Sequence, residues 1–554
     1  MSTVADRAAR RLPARRWGEL DADAAARGWA RRNASALTIL GAAAACALVL
    51  AAPGVTVTTK YLPDLFVLLD GAHRVTEGQV PSRDFHTVLG PLPHYLSAAG
   101  LVLSGDLGGA MPIGSALFVL LLAPAVAHVL GSRLRTTIAV PFGLFLILIA
   151  AAPINLGETV TSLSFARFYD RVGWAALGTL LVLWLPPLRF SRYGATLDAL
   201  AAALLVLVML YTKATYAVAA VALLGLLLLD AGQRRWAATA LAVIVAAALA
   251  VEALWRSSAV YAADLALAAE VSGGLRGTAG QIAEQFFRNL AEYVLFALVA
   301  GLALRRTRRI WDLVFFLFCA LAGFLLINQN LQSWGIVSLY AGAAVAAERL
   351  AREDDAPDAR KAAPWPVGLG APLFSLVLVL PTIAHGLIAL GLHAGIAAAC
   401  AGEEAGLAKT QGVRLVHLWT WGEHESATEY LASLREGAQA LASLDRPPRG
   451  VFVLDHANPF SAGLGLAPAR GDAPGLRWER TVDADAFVPP ERLLADVDVV
   501  MEPKAPPGDE RPIDHPGSAR AIGGLRQIYG PAIAAHFEPA RETERWTVHR
   551  RRVR

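Results

Sequence analysis

About eleven stretches of roughly 16–22 predominantly apolar residues recur along the chain, each the length a helix needs to cross the hydrocarbon core of a bilayer. Lipid offers the backbone no hydrogen-bond partners, so runs of this kind read as helices that satisfy their own N–H and C=O groups. They lie near 36–54, 108–130, 136–155, 173–187, 195–211, 215–231, 236–255, 289–304, 310–327, 333–350 and 367–391. Composition agrees. Hydrophobic residues make up 55% and charged residues 17% of the 554, whereas a water-soluble domain carries about a quarter charged residues. Cys46, Cys319 and Cys400 sit in or beside apolar runs without metal spacing, and read as small apolar packers. No cleavable signal peptide is evident, because the first apolar run begins near Ser35 and is long enough to span.

The net charge of +4 is segregated, with arginines collected at the N-terminus and in short loops. That distribution is a topology signal and not a nucleic-acid footprint. The basic leader 1–34 places the N-terminus in the cytoplasm and sends the first helix outward, leaving the loop 55–88 outside. Five later basic loops carry Arg133/Arg135, Arg189/Arg192, Arg234/Arg235, Arg305 to Arg309, and Arg349 to Lys361. All five fall on the cytoplasmic side if 89–105 does not cross separately, which predicts that this segment is re-entrant, interfacial or continuous with the next helix. Residues 256–288 mix charges with alanine and leucine and read as an amphipathic helix on the membrane surface.

Beyond the transmembrane region, 35–400, the composition changes. Charge, proline and histidine rise, and VFVLD (451–455), DVVMEP (498–503) and ERWTVHRRR (544–552) read as strands with a helix over 426–444. The expected architecture is a polytopic α-helical membrane protein of about eleven spans, with a soluble α/β domain, 401–554, on the extracytoplasmic side.

The loop 61–96, YLPDLFVLLDGAHRVTEGQVPSRDFHTVLGPLPHYL, is dense in ionisable residues: Asp64, Asp70, His73, Arg74, Arg83, Asp84, His86 and His94. An ordinary solvated loop is one reading. Acidic groups at a membrane face are costly unless solvated, paired or functional, so a site is the other. Lys213 lies between two apolar runs, and a lysine there serves either as an interfacial anchor or as a ligand contact. Arg167, Tyr169, Asp170 and Arg171 form a polar aromatic cluster in the next outer loop, and the amides of 328–334 lie at a further helix end. Asp455 and His456 end a predicted strand, but with no nucleophile or metal spacing nearby they read as structural.

The order Asp64, then Gly78, Pro81, Arg83, Asp84 and Phe85, then Gly90, Pro91, Leu92 and Tyr95 resembles the first extracytoplasmic loop of GT-C glycosyltransferases. These are the multi-spanning enzymes related to glycosyltransferase family 39, protein O-mannosyltransferases and aminoarabinose transferases. Leu65 stands where that pattern commonly has Glu, and Ser82 where it has Tyr. The missing second acid weakens a metal-assisted version, so a divalent metal stays open but unsupported and no cofactor is assigned.

The resemblance implies a sugar donor carried on a polyprenyl phosphate and a glycan, lipid or protein acceptor, with no nucleic acid involved. It makes Asp64 the general base, and Arg83, Lys213 and Arg167 the cations for the donor phosphate. Asp70, His73, Asp84, His86 and Asp170 would position substrate. A desolvated carboxylate gains proton affinity, which would bring Asp64 toward the working pH. Two other readings remain, a transporter or flippase of envelope lipids and a non-catalytic assembly scaffold. Transporters place broken helices and acids near the midplane, whereas the charges here sit at loop ends.

Overall fold

The computed structural model describes residues 33–189, 191–272, 278–330, 332, 335–354, 367–506, 508–513, 515 and 517–552. The arginine-rich leader, with Arg360 and Lys361, lies outside the described residues.

Helix α1 (Ala34–Ala51) leads through strand β1 (Thr56–Thr58) into α2 (Leu62–Thr76) and α3 (Pro91–Ser104). There follow α4 (Leu107–Arg133), α5 (Thr136–Ala151), α6 (Phe168–Val182), α7 (Gly194–Thr212), α8 (Ala214–Leu228) and α9 (Arg234–Trp255). Helices α10 (Ser258–Ser272) and α11 (Ala279–Arg288) precede α12 (Leu290–Thr307), α13 (Ile310–Asn330), α14 (Val337–Asp354) and α15 (Val367–Ala398).

Each of the eleven apolar runs is helical, but fewer satisfy the demands of a crossing. Among the described residues, α1, α4, α7, α9, α13 and α15 are long and apolar enough to span, six in all. A seventh span counts if α11 and α12, bent by 59° at their junction, form one broken crossing. Eleven crossings therefore exceed what length and composition support. Helices α5, α6 and α8 have 16, 15 and 15 residues, or about 22–24 Å at 1.5 Å per residue, short of a bilayer core of ~30 Å. Helix α14 ends in Glu348, Arg349, Arg352, Glu353 and Asp354. The short α6 is enclosed by its neighbours along its whole length from Asp170 to Val182. Helix α9 instead leaves Val245, Leu249 and Leu254 exposed, an apolar face suited to lipid.

The basic loops gather at one end of the bundle. Arg133 pairs with Asp198, Arg352 donates to the carbonyls of Arg133 and Pro186, and Leu188 N bonds Ser132 O. Arg349 reaches Asp312, Trp184 Nε1 bonds Asp312, and Gln233 bonds the carbonyl of Trp184. Helix α1 separates this end from the other, since Ser35 bonds Thr136 while Thr56 N bonds Gly412 O beside the C-terminal region. Helix α3 packs along the first half of α4, with Gly100 against Ala110 and Gly114; before it Gly90 N bonds Thr212 O, and after it the carbonyl of Gly108, in the first turn of α4, accepts from Thr56.

After α15 come β2 (Glu403–Glu404), β3 (Val413–Leu415), α16 (Trp421–Ala442), β4 (Val451–Val453), α17 (Phe460–Leu464) and α18 (Pro490–Leu493). The chain ends with β5 (Val499–Pro503), α19 (Ala519–His536), β6 (Phe537–Glu542) and β7 (Trp546–Arg551). The runs read as strands at 451, 498 and 544 fall on β4, β5 and β7. These form a four-stranded sheet in the order β4-β5-β7-β6, with β4 and β5 parallel and the other pairs antiparallel. A smaller sheet, β1-β3-β2, stitches the segment after α1 to the C-terminal region, with β1 and β3 parallel.

Candidate functional site

A cavity of about 390 Å³ lies where α2, α6, α8, α10 and the C-terminal region meet. Two of its acids sit in the first turn of a helix, Asp64 in α2 and Asp170 in α6. The unpaired N–H groups there favour a carboxylate by about 0.3–1 kcal/mol. The residues just before those helices are strained. Tyr61 and Arg167 hold φ of 58° and 56°, a left-handed conformation that costs a non-glycine residue about 1–2 kcal/mol. The Arg167 guanidinium then lies 5.7 Å from the Tyr61 ring centroid. Strain of this kind collects at sites where packing over-determines the backbone.

Lys213 occupies the break between α7 and α8, and its Nζ lies 2.6 Å from Asp170 Oδ1 and 5.3 Å from the Tyr169 ring. Gly90 makes that placement possible. A Cβ at Gly90 would run into the Tyr211 backbone, so only glycine lets the loop press on the end of α7.

The C-terminal region supplies the remaining wall. The chain leaves β4 and turns at His456, whose Nε2 lies 3.3 Å from Asp64 Oδ1. Arg477 Nη1 approaches the same oxygen at 3.4 Å. Gly475 permits this, because a Cβ there would overlap the His456 carbonyl oxygen. Arg480 and Thr481 complete that side. On the opposite side α10 contributes Leu265, Ala268 and Ala269, and its Asp264 carboxylate lies 2.8 Å from His86 Nδ1. Val218 of α8 lines the cavity and is 71% exposed, so the cavity opens onto the apolar outer surface between α8 and α10.

Charge in the cavity is predominantly positive. Arg167, Lys213, Arg477 and Arg480 face only Asp64 and Asp170 as carboxylates, with His86 and His456 beside them. Burial by itself would raise the Asp64 carboxyl, but His456, Arg477 and Arg167 outweigh it and hold Asp64 well below the usual carboxylate range. The expected upward shift of Asp64 is therefore corrected: His456, Arg477 and Arg167, the first two from the distant C-terminal region, keep it ionised.

Of the residues singled out in the sequence, Asp64, His86, Arg167, Asp170 and Lys213 line this cavity, and Tyr169 with them. Arg83, Asp70, His73 and Asp84 do not. Asp84 Oδ2 accepts from Val80 N and its Oδ1 meets Arg470, so it caps the turn and ties it to the C-terminal region. Arg83 is exposed and pairs with Asp84 at 3.2 Å. His73 Nε2 lies 2.9 Å from the carbonyl of Leu466. Asp70 is fully buried against Arg74.

Arg171 donates to the carbonyl of Ile154. Of the amides at 328–334, Asn328 bonds the carbonyl of Phe324 and Gln332 accepts from Trp174, while Gln329 lines the cavity. Residues 331, 333 and 334 lie outside the described residues. His456 was set aside in the sequence for want of a partner, and its partner is Asp64, 392 positions away. No local signal marked Arg477 or Asp264. Among the described residues no three His, Cys, Asp or Glu side chains are placed to hold a metal ion. The chain matches no protein-family model, and no curated protein matches it.

Proposed function

We propose that this protein is a membrane glycosyltransferase that moves a sugar from a polyprenyl-phosphate donor to an acceptor hydroxyl. The supporting observation is the cavity itself. It sets two carboxylates, Asp64 and the Lys213-paired Asp170, among Arg167, Lys213, Arg477 and Arg480, and it opens sideways beside Val218 onto an apolar surface. A donor with an anionic phosphate and a hydrocarbon tail has complementary chemistry at both places.

In this reading the phosphate draws Arg167 and Arg477 away from Asp64, and the carboxylate regains proton affinity as the substrate binds. The acceptor oxygen bonds the anomeric carbon while the bond from that carbon to the phosphate oxygen breaks. The hydroxyl proton passes to Asp64, and the cations take up the charge left on the polyprenyl phosphate. The gathered arginine loops mark the cytoplasmic end, and residues 401–554 with the cavity face the extracytoplasmic side of the plasma membrane.

The test is transfer by the full-length protein in proteoliposomes supplied with radiolabelled polyprenyl-phosphate sugars and extracted envelope acceptors. Asp64→Asn should lose about 100-fold or more of the rate, the lower range of a positioned acid–base group. Lys213→Met should weaken donor use. Full activity in Asp64→Asn would remove this mechanism.

A further inference from the structure

A second cavity of about 320 Å³ lies between the end of α5, the segment 152–158, α12, α14 and α15. Its size falls in the range of small-molecule sites, ~300–1,000 Å³. Its electrostatics are opposite to those of the first. Among the described residues it is lined by Glu158 and Glu292 and by no Lys or Arg, the Arg171 guanidinium lying behind the wall on the carbonyl of Ile154. Glu292 is occupied internally, accepting from Gly335 N, Ile336 N and Tyr340 Oη at 2.9–3.1 Å. Glu158 is only half occupied. Its Oε1 meets Tyr61 Oη at 2.9 Å and Lys60 at 3.3 Å, while its buried Oε2 has no partner.

Asn155 is 7% exposed, and both its Oδ1 and Nδ2 are buried without a partner. Buried polar atoms are normally satisfied, and three such atoms on two residues that line one cavity mark a place built for something else.

The unmet valences restrict what that is. Asn155 Oδ1 and Glu158 Oε2 need donors, and Asn155 Nδ2 needs an acceptor. A phosphodiester or carboxylate ligand has nothing to donate to them and is repelled by Glu158 and Glu292, and an ammonium has nothing to accept from the amide. A hydroxyl does both, and adjacent hydroxyls on one ring do so at once. The facing wall of Leu148, Ala152 and Pro381 is apolar, as the C–H face of a sugar ring requires.

We infer that this cavity binds a neutral polyhydroxyl group, a sugar ring of the acceptor. The assignment to an acceptor rests on the transferase reading; the preference for hydroxyls does not. The Glu158–Tyr61 hydrogen bond ties the site to the residue that starts α2, three positions before Asp64.

The test uses the full-length protein in nanodiscs with methyl glycosides of glucose, galactose, mannose and arabinose as probes, followed by saturation-transfer NMR. Methylammonium and inorganic phosphate serve as controls. At least one glycoside should bind saturably, and Asn155→Leu should weaken it at least tenfold. Asn155→Leu removes unmet polar atoms, so its thermal unfolding should stay near wild type. Ala152→Leu, which fills the cavity from its apolar wall, should abolish binding independently.

Absence of any saturable glycoside, meaning a cavity filled by water alone, overturns the inference. So does binding that survives both substitutions, or a preference for methylammonium. Glycoside binding without transfer from any polyprenyl donor would leave the site standing and remove the transferase reading. Transfer with an unchanged acceptor KM in Asn155→Leu would do the reverse.

Discussion

Replacing Arg74 with leucine should unfasten α2 from the C-terminal region. Arg74 is fully buried, with its Nε 2.6 Å from Asp70 Oδ2 and its other nitrogens on both oxygens of Asp472 and the carbonyl of Ala469. Both acids are fully buried as well. One guanidinium cannot neutralise two carboxylates. Burial, opposed by Arg74, pushes Asp472 up to about 7, so near neutrality the cluster keeps a proton on Asp472 and an ion pair between Asp70 and Arg74. Removal of the guanidinium leaves a second carboxylate that must also be protonated.

From an unfolded value of 3.8, at ~1.36 kcal/mol per pH unit, that costs about 4 kcal/mol at pH 7 and about 2 kcal/mol at pH 5. The first figure agrees with the ~3–5 kcal/mol typical of a broken buried pair. Thermal unfolding of the full-length protein in nanodiscs, followed by tryptophan fluorescence at both pH values, should show the larger loss at pH 7. Arg74→Leu combined with Asp70→Asn should recover most of it. A single variant as stable as wild type, or an equal loss at both pH values, would refute the argument.

Asp472 carries its own pH dependence. Its folded value lies above its unfolded one, so its stabilisation is complete below about 3.8 and fades as pH rises through about 7. Asp472→Asn should therefore flatten the wild-type decline in melting temperature between those values, read as the difference between the two pH series. Asp64 has the opposite sign, being held below its ordinary value by cations, and it stays ionised throughout the neutral range. Transfer kcat/KM, which reports the substrate-free protein, should then show no acidic limb from Asp64 above about pH 5, whereas His456→Ala together with Arg477→Met should introduce one; an acidic limb in kcat/KM already present in wild type and absent in Asp64→Asn would count against this. Gly475→Ala forces a Cβ onto the His456 carbonyl and should reduce activity with little loss of protein, which immunoblotting and the transfer assay separate. A periplasm-dependent reporter fused after Arg554 should be active, and a cytoplasm-dependent one silent; the reverse pattern would place 401–554 on the arginine-loop side.

The sequence reads well where physics is local. Apolar runs announce helices because each buries its own backbone, and all eleven are helical. The number that cross is less legible, since α5, α6 and α8 are short and α6 is sheathed by protein on every side. An enclosed helix and a lipid-facing one carry similar residues. The motif residues Gly78 to Phe85 are legible as a unit but not by role. Asp84 caps its own turn, and Phe85 is buried with the Arg74 guanidinium 5.4 Å from its ring. That part of the pattern builds the loop, and the chemistry of the cavity comes from residues around it.

The two sides of the first cavity differ in how they are encoded, and this decides what a single sequence can disclose. Asp64, Asp170 and Lys213 stand at helix termini, where a charged residue beside an apolar run is conspicuous in the linear order. His456 and Arg477 are ordinary residues of the C-terminal region, and they acquire meaning only because β1 pairs with β3 and Arg74 docks Asp472. Those contacts span more than 350 positions, and no spacing rule reaches across them. They also invert the electrostatics. The bilayer-side residues alone leave Asp64 with burial and Arg167, and the added His456 and Arg477 turn a carboxyl expected to rise into one that falls. A substrate phosphate competing for those same cations would act on Asp64 through the C-terminal region, so that region belongs to the site's acid–base behaviour as well as to its shape.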